Sequence, residues 1–159
     1  MRIPVKAILA PTDFSEASRE STATANDLAR AFQAELIIVH VVSVVPPFPG
    51  NMGSAAAVFN ADTYQSDLIK HWGKELDAFA SQFGASEGKI RTIIREGDPG
   101  GNIVQLAEQE GVDLVVIATH GRTGLKRFVF GSVAEKVVRH CPCPVLVIPE
   151  GRQDSTEVE

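Results

Sequence analysis

The sequence predicts an α/β domain: an open, five-stranded parallel sheet with helices on both faces. Three observations carry this reading. Five short apolar runs alternate with helical patterns in the order β-α-β-α-β-α-β-α-β, the alternation of a helix-covered parallel sheet. The runs are near-continuous in Val, Ile and Leu, which suits strands buried on both faces. The chain has 159 residues, enough for one domain with a proper core. The crossovers are expected to be right-handed.

The elements follow in order. The first strand is read in VKAILA, Val5 to Ala10. The first helix, Ser15 to Phe32, is rich in Ala, and Asp13 followed by Glu16 has the spacing of a capping box, which makes Asp13 the expected N-cap. The second strand is ELIIVHVV, Glu35 to Val42. The stretch 44–62 holds three of the nine prolines and two glycines, and is expected to be a long, mobile loop before the second helix. That helix, Asp62 to Phe83, carries Leu68, Trp72, Leu76 and Phe79 at helical spacing. The third strand, KIRTIIRE from Lys89 to Glu96, keeps charges at its ends and is expected near an edge. A helix from Gly100 to Glu110, a strand DLVVIAT from Asp113 to Thr119, a helix from Ser132 to His140 and a strand PVLVIP from Pro144 to Pro149 complete the set. Residues 1–150 are read as the single domain and 151–159, polar and acidic, as a frayed tail.

Composition narrows the function. With 44% hydrophobic and 22% charged residues the chain is of ordinary globular type. A net charge of −5 argues against nucleic acid or an anionic membrane as partner. No apolar run approaches the roughly 20 residues of a membrane helix. The N-terminal MRIPVKAILAPTDFS reads as structure rather than as a leader, so a cytoplasmic protein is expected. Cys141 and Cys143, in RHCPCPV, are read as small residues in a helix-to-strand turn, reduced in the cytosol and too close for an easy disulfide. Metal binding beside His140 would need further ligands and a different spacing. His40 reads as a core or strand-end histidine rather than a catalyst.

The informative stretch is IATHGRTGLKRFVFGSVAEKVV. Gly121 and Gly124 let the chain bend and approach a ligand, Arg122, Lys126 and Arg127 add positive charge, and Gly131-Ser132 opens a helix. Free N–H groups and the positive dipole end at such a start favour phosphate. The Ser132 hydroxyl suits a phosphate oxygen or a magnesium ion. A Gly-rich turn followed by a Ser-capped helix remains the alternative. The loop is no P-loop, because no lysine precedes Ser132. Ligands of doubly wound sheets bind outside the carboxyl ends of the strands. In a sheet of order 3-2-1-4-5 the first and fourth strands are neighbours, and Asp13 and the glycine loop then face one crevice.

These residues resemble the universal stress protein family over almost the whole chain. The match runs through ILAPTDFSEAS, IIVHVV and, most specifically, IATHGRTGLKRFVFGSVAEKVVRHCPCPVLVIP. The family's nucleotide-binding branch carries G-x2-G-x9-G-[ST]. Gly121 and Gly131-Ser132 satisfy its last two-thirds, and Ala118 stands where the first glycine would be. The resemblance implies the 3-2-1-4-5 sheet and bound ATP, with Mg2+ or Mn2+ carried by the nucleotide near Ser132 and Asp13. It implies that Pro11, Thr12 and Asp13 flank the adenosine, that the backbone around Val41 meets the adenine edge, and that Gly121, Arg122, Gly131, Ser132 and Val133 enclose the phosphates. It also implies a homodimer through the last strand. The expected function is an ATP-responsive regulatory module of the stress response with little or no turnover. The alternatives are a slow ATP hydrolase and a nucleotide-free interaction dimer.

Overall fold

A computed structural model describes residues 4–43, 61–84, 89–119 and 131–149, the side chains of 61–64 excepted. Its elements are β1 (Ala7–Pro11), α1 (Glu16–Phe32), β2 (Glu35–Val42), α2 (Ala61–Ser81), β3 (Ile90–Glu96), α3 (Pro99–Gln109), β4 (Leu114–Ala118), α4 (Ser132–His140) and β5 (Val145–Ile148). The strands form one parallel sheet in the order β3-β2-β1-β4-β5. The expected α/β fold, its parallel sheet and its strand order are therefore those of the structure. Most element ends differ from the sequence expectation by one or two residues. The long loop 44–60 and the glycine loop 120–130 lie outside the described residues, as does the tail.

Strand alternation builds two cores. Ile8, Ala10, Leu36, Ile38, Leu114 and Val116 face α1 and α2, where Ala25, Ala29, Leu76 and Phe79 cover them. Their chain neighbours Leu9, Ile37, Val39, Val115 and Ile117 face α3 and α4, where Ile103, Leu106, Ala134 and Val137 close the other layer. Two faces must be apolar at once, so the central strands read as unbroken hydrophobic runs. Each fully buried Val, Leu, Ile or Phe among them contributes about 1.5–3 kcal/mol. The strand β3 is an edge, as its charged ends predict; its residues are only half-buried and Glu96 is exposed. Arg91 ties that edge down: its guanidinium donates to Glu35 at 3.2 Å and to Glu110 at 2.6 Å, joining β3 to β2 and to the end of α3. These bonds, first Glu110 and then Glu35, raise the Arg91 pKa further above the ordinary arginine range.

One local expectation is corrected. Asp13 does not cap α1. Ser15 is the N-cap, its Oγ accepting from the Ser18 amide at 3.2 Å. Asp13 stands two residues earlier, where Oδ1 accepts from the Ser15 amide at 3.0 Å and from the Ser15 hydroxyl at 2.5 Å. Between them Phe14 adopts a left-handed backbone, φ 65°. That kink swings Asp13 out of line with the helix start and leaves the capping position to serine.

Candidate functional site

A cavity of about 520 Å³ opens at the carboxyl ends of β1, β2 and β4. Its volume lies within the roughly 300–1,000 Å³ usual for small-molecule sites. The end of β1 and the turn after it supply Pro11, Thr12 and Asp13 to the wall, β2 supplies Val41, and β4 supplies Ala118. The start of α4 supplies Gly131, Ser132 and Val133. These eight residues were all expected on one crevice, and the fold brings them to one crevice because β1 pairs with both β2 and β4. Gly121 and Arg122, the other two expected site residues, fall outside the described residues, as do Lys126 and Arg127.

The turn between β1 and α1 is held by its own side chains. Thr12 is buried. Its amide donates to the Val39 carbonyl at 2.8 Å, while its Oγ1 accepts from the Phe14 amide at 3.0 Å and shares a hydrogen bond with Ser18 Oγ at 2.9 Å. Its carbonyl lies 2.8 Å from Nδ1 of His40, which donates to it. Thr12 therefore fixes the shape of the turn, and Asp13 is presented at its tip, half-exposed.

Elsewhere on the cavity wall, α4 begins without a side-chain cap. Gly131 is its N-cap and makes no such hydrogen bond. The Gly131 amide donates to the Thr119 carbonyl at 2.9 Å, which anchors the helix start to the end of β4. The first turn of a nine-residue helix thus faces the cavity with backbone donors and the positive end of its dipole, an arrangement suited to an anion.

Ala118 is the last residue of β4 and is buried. Its φ is not among the positive values, which Phe14 and Gln33 alone show among the described non-glycine residues. Alanine therefore meets no backbone strain at the place where the family motif has its first glycine.

Part of the wall was not assigned from sequence. His40 and Trp72 line the cavity, with Leu68 and Ile103. Phe14, His40 and Trp72 form one aromatic group: ring centroids are 4.5 Å apart for Phe14–His40, 5.0 Å for His40–Trp72 and 5.5 Å for the stacked Phe14–Trp72 pair. Phe79 meets Phe14 edge-on at 5.6 Å, and the Arg19 guanidinium lies 5.1 Å over the Phe79 ring. The signal in the sequence was Leu68 and Trp72, four apart on one face of α2. That spacing marks a buried face without saying that the face ends at a cavity.

Among the described residues no three His, Cys, Asp or Glu side chains gather into a metal site. Asp13 and Ser132 offer oxygen atoms, the donors a hard divalent cation takes, on two walls of the crevice. Two such groups fit a cation that arrives with most of its coordination supplied by phosphate and water.

A model of the universal stress protein family matches residues 4–149. Universal stress protein MJ0531 of Methanocaldococcus jannaschii is 37% identical over 155 residues, covering 94% of this chain and 85% of that protein. Among solved structures, universal stress protein UspA from Lactobacillus plantarum matches with a TM-score of 0.72 at 27% identity, over 92% of this chain and 99% of the other. MJ0577, also from M. jannaschii, matches with a TM-score of 0.69 at 28% identity, over 92% and 97%.

Proposed function

The chain belongs to the universal stress protein family, and from that premise we propose that it is a regulatory protein of the stress response that binds an adenosine nucleotide, ATP, in the crevice at the carboxyl ends of the strands. The observation that carries this reading is the cavity itself. A carboxylate at the tip of one turn and an uncapped helix start line one crevice together with apolar strand ends. A base and ribose fit the apolar strand ends, and phosphates fit the α4 start. Mg2+ or Mn2+ enters with the nucleotide, near Ser132 and Asp13, and offsets phosphate charge. Gly121 and Arg122 are assigned to the phosphates by the family motif alone.

Turnover is slow or absent in this reading. Phosphoryl transfer to water needs a group that orients the water at the terminal phosphate. On the β1–α1 side of the crevice the polar side chains already serve the turn: Thr12 Oγ1 bonds Phe14 and Ser18, and Asp13 Oδ1 bonds Ser15. His40 Nδ1 donates to Thr12. The protein acts as a homodimer of the cytoplasm, joined through β5, an edge strand whose Leu146 is exposed.

The test is direct. Freshly purified protein is denatured, and the small molecule it releases is identified by mass spectrometry. ATP or another adenosine nucleotide at near-stoichiometric amount is the expected result. No nucleotide released, together with no ATP binding after exhaustive dialysis, contradicts the reading. Phosphate release above about 1 s⁻¹, within the usual enzyme range, replaces the regulatory module with an ATPase.

A further inference from the structure

We propose that Cys141 and Cys143 form an oxidation site: a dithiol that a hydroperoxide closes to an intramolecular disulfide and that a small thiol reopens. The site lies at the C-terminal end of α4, while the crevice takes the N-terminal end of the same helix, so it does not depend on the nucleotide reading.

The geometry rests on the main chain. The two sulfurs are 3.6 Å apart, in contact, and both thiols are free and half-buried. The turn that carries them is held at both ends. The Cys141 amide donates to the Val137 carbonyl at 2.9 Å, and the Pro144 carbonyl accepts from Val115 at 3.0 Å. Pro142 and Pro144 fix φ on either side of Cys143. Both side chains also pack against the core layer that contains Val137 and Val112. The thiols are thus held face to face by backbone and packing.

An S–S bond is about 2.05 Å long, so closure draws the sulfurs together by about 1.5 Å. Only one residue separates the two cysteines, and the ring is small and strained. A strained disulfide is easily reduced, which suits a reversible modification and not a permanent staple.

The two sulfurs differ in chemistry. The Cys141 thiol is lowered from 9.0 to about 7, chiefly by a hydrogen bond from the Cys143 side chain, with a further bond from the Cys143 backbone. The Cys143 thiol is pushed upward by its bond to Cys141, by burial and by the charges of Cys141 and Asp113. Cys141 is therefore the nucleophile and Cys143 the resolving thiol. The Cys141 thiolate attacks hydrogen peroxide: an S–O bond forms, the O–O bond breaks, and the departing hydroxide is protonated to water. Cys141 is then a sulfenic acid. The Cys143 sulfur attacks Cys141 Sγ: the S–S bond forms, the S–O bond breaks, and the hydroxide leaves as water with the Cys143 proton. In sum, two thiols and one peroxide give one disulfide and two waters, and two equivalents of a small thiol reverse the oxidation.

The experiment treats the reduced, full-length protein with a small excess of hydrogen peroxide at pH 7 and follows intact mass and alkylatable thiols. The expected product has lost two hydrogens and both thiols, with no link between chains, and dithiothreitol restores it. Cys143→Ser is expected to stop at a dimedone-trappable sulfenic acid on Cys141. Cys141→Ser is expected to react roughly tenfold more slowly at pH 7, because an ordinary thiol is only a few per cent ionised there. Alkylation of Cys141 in the unoxidised protein is expected to reach half its maximal rate at a lower pH than an ordinary thiol does. Sulfinic acid without a disulfide, links only between chains, or unchanged thiols in the unmutated protein would each overturn the proposal, and that measurement needs no variant to fold.

Discussion

The imidazole of His40 donates from Nδ1 to the backbone carbonyl of Thr12 at 2.8 Å. The bond spans two strands: it pins the end of β2 to the turn that follows β1, and that turn presents Asp13 to the crevice. A carbonyl only accepts, so Nδ1 carries the proton. His40 is thereby a positioning residue for the crevice wall.

His40→Phe keeps a ring in the aromatic group and removes the donor. Thr12 is buried, so its carbonyl loses a partner that water replaces poorly. The expected cost is about 1–3 kcal/mol in urea denaturation. Nitrogen NMR of the unmutated protein is expected to find the proton on Nδ1, and an Nε2–H tautomer would contradict the assignment.

Phe14 has a left-handed backbone, which costs a residue with a Cβ roughly 1–2 kcal/mol. Its stacking against Trp72 and its contacts with His40 and Phe79 offset that cost. Both Phe14→Ala and Phe14→Gly are expected to destabilise the protein by losing the ring. Glycine is expected to be the milder change by about 1 kcal/mol, because it alone relieves the strain. An alanine variant as stable as the glycine variant would show that the backbone leaves the left-handed region when the ring is removed.

Asp98 gives α3 its start and a pH dependence. Its side chain accepts from the Gly101 amide at 2.6 Å and from Lys136 Nζ at 2.8 Å, linking α3 to α4. The Lys136 bond, then the Gly101 amide, holds the carboxyl below its ordinary value of 3.8. A group lowered on folding stabilises the folded state above its unfolded pKa, and that contribution is lost as pH falls through the folded value. The stability gap between the unmutated protein and Asp98→Asn, which keeps an oxygen for Gly101, is expected to hold at pH 6 and to close below about pH 4. Asp98→Ala loses the cap as well, at about 0.5–2 kcal/mol. Urea denaturation at each pH checks both, and a gap that widens on acidification would contradict the assignment.

Much of this was legible in the sequence, because its signals were periodic. Central strands apolar on both faces and helices apolar on one face produce the alternation that yields the fold, and charged ends placed β3 at an edge. The features that the sequence does not reveal turn on single torsions and distant packing. Asp13 and Ser15 both suit an N-cap, and only the left-handed Phe14 decides between them. An aromatic residue takes that conformation because Trp72, 58 positions on, stacks on it, and no local propensity encodes such a contact. The same holds for the cavity wall. Val41 and Gly131 were found by motif, whereas Trp72 entered through the meeting of α2 with the end of β2.

Nucleotide binding between Asp13 and the start of α4 is open to isothermal titration of ATP with magnesium into nucleotide-free protein. Gly131→Val is the variant to compare: its φ of −58° accepts a side chain, so the fold should be kept, while the added methyl groups stand where phosphate would approach. One site per chain is expected in the unmutated protein and at least about a tenfold loss, 1.4 kcal/mol, in Gly131→Val, with unchanged circular dichroism. Equal affinity in the two proteins, or no heat of binding in the unmutated one, would contradict it.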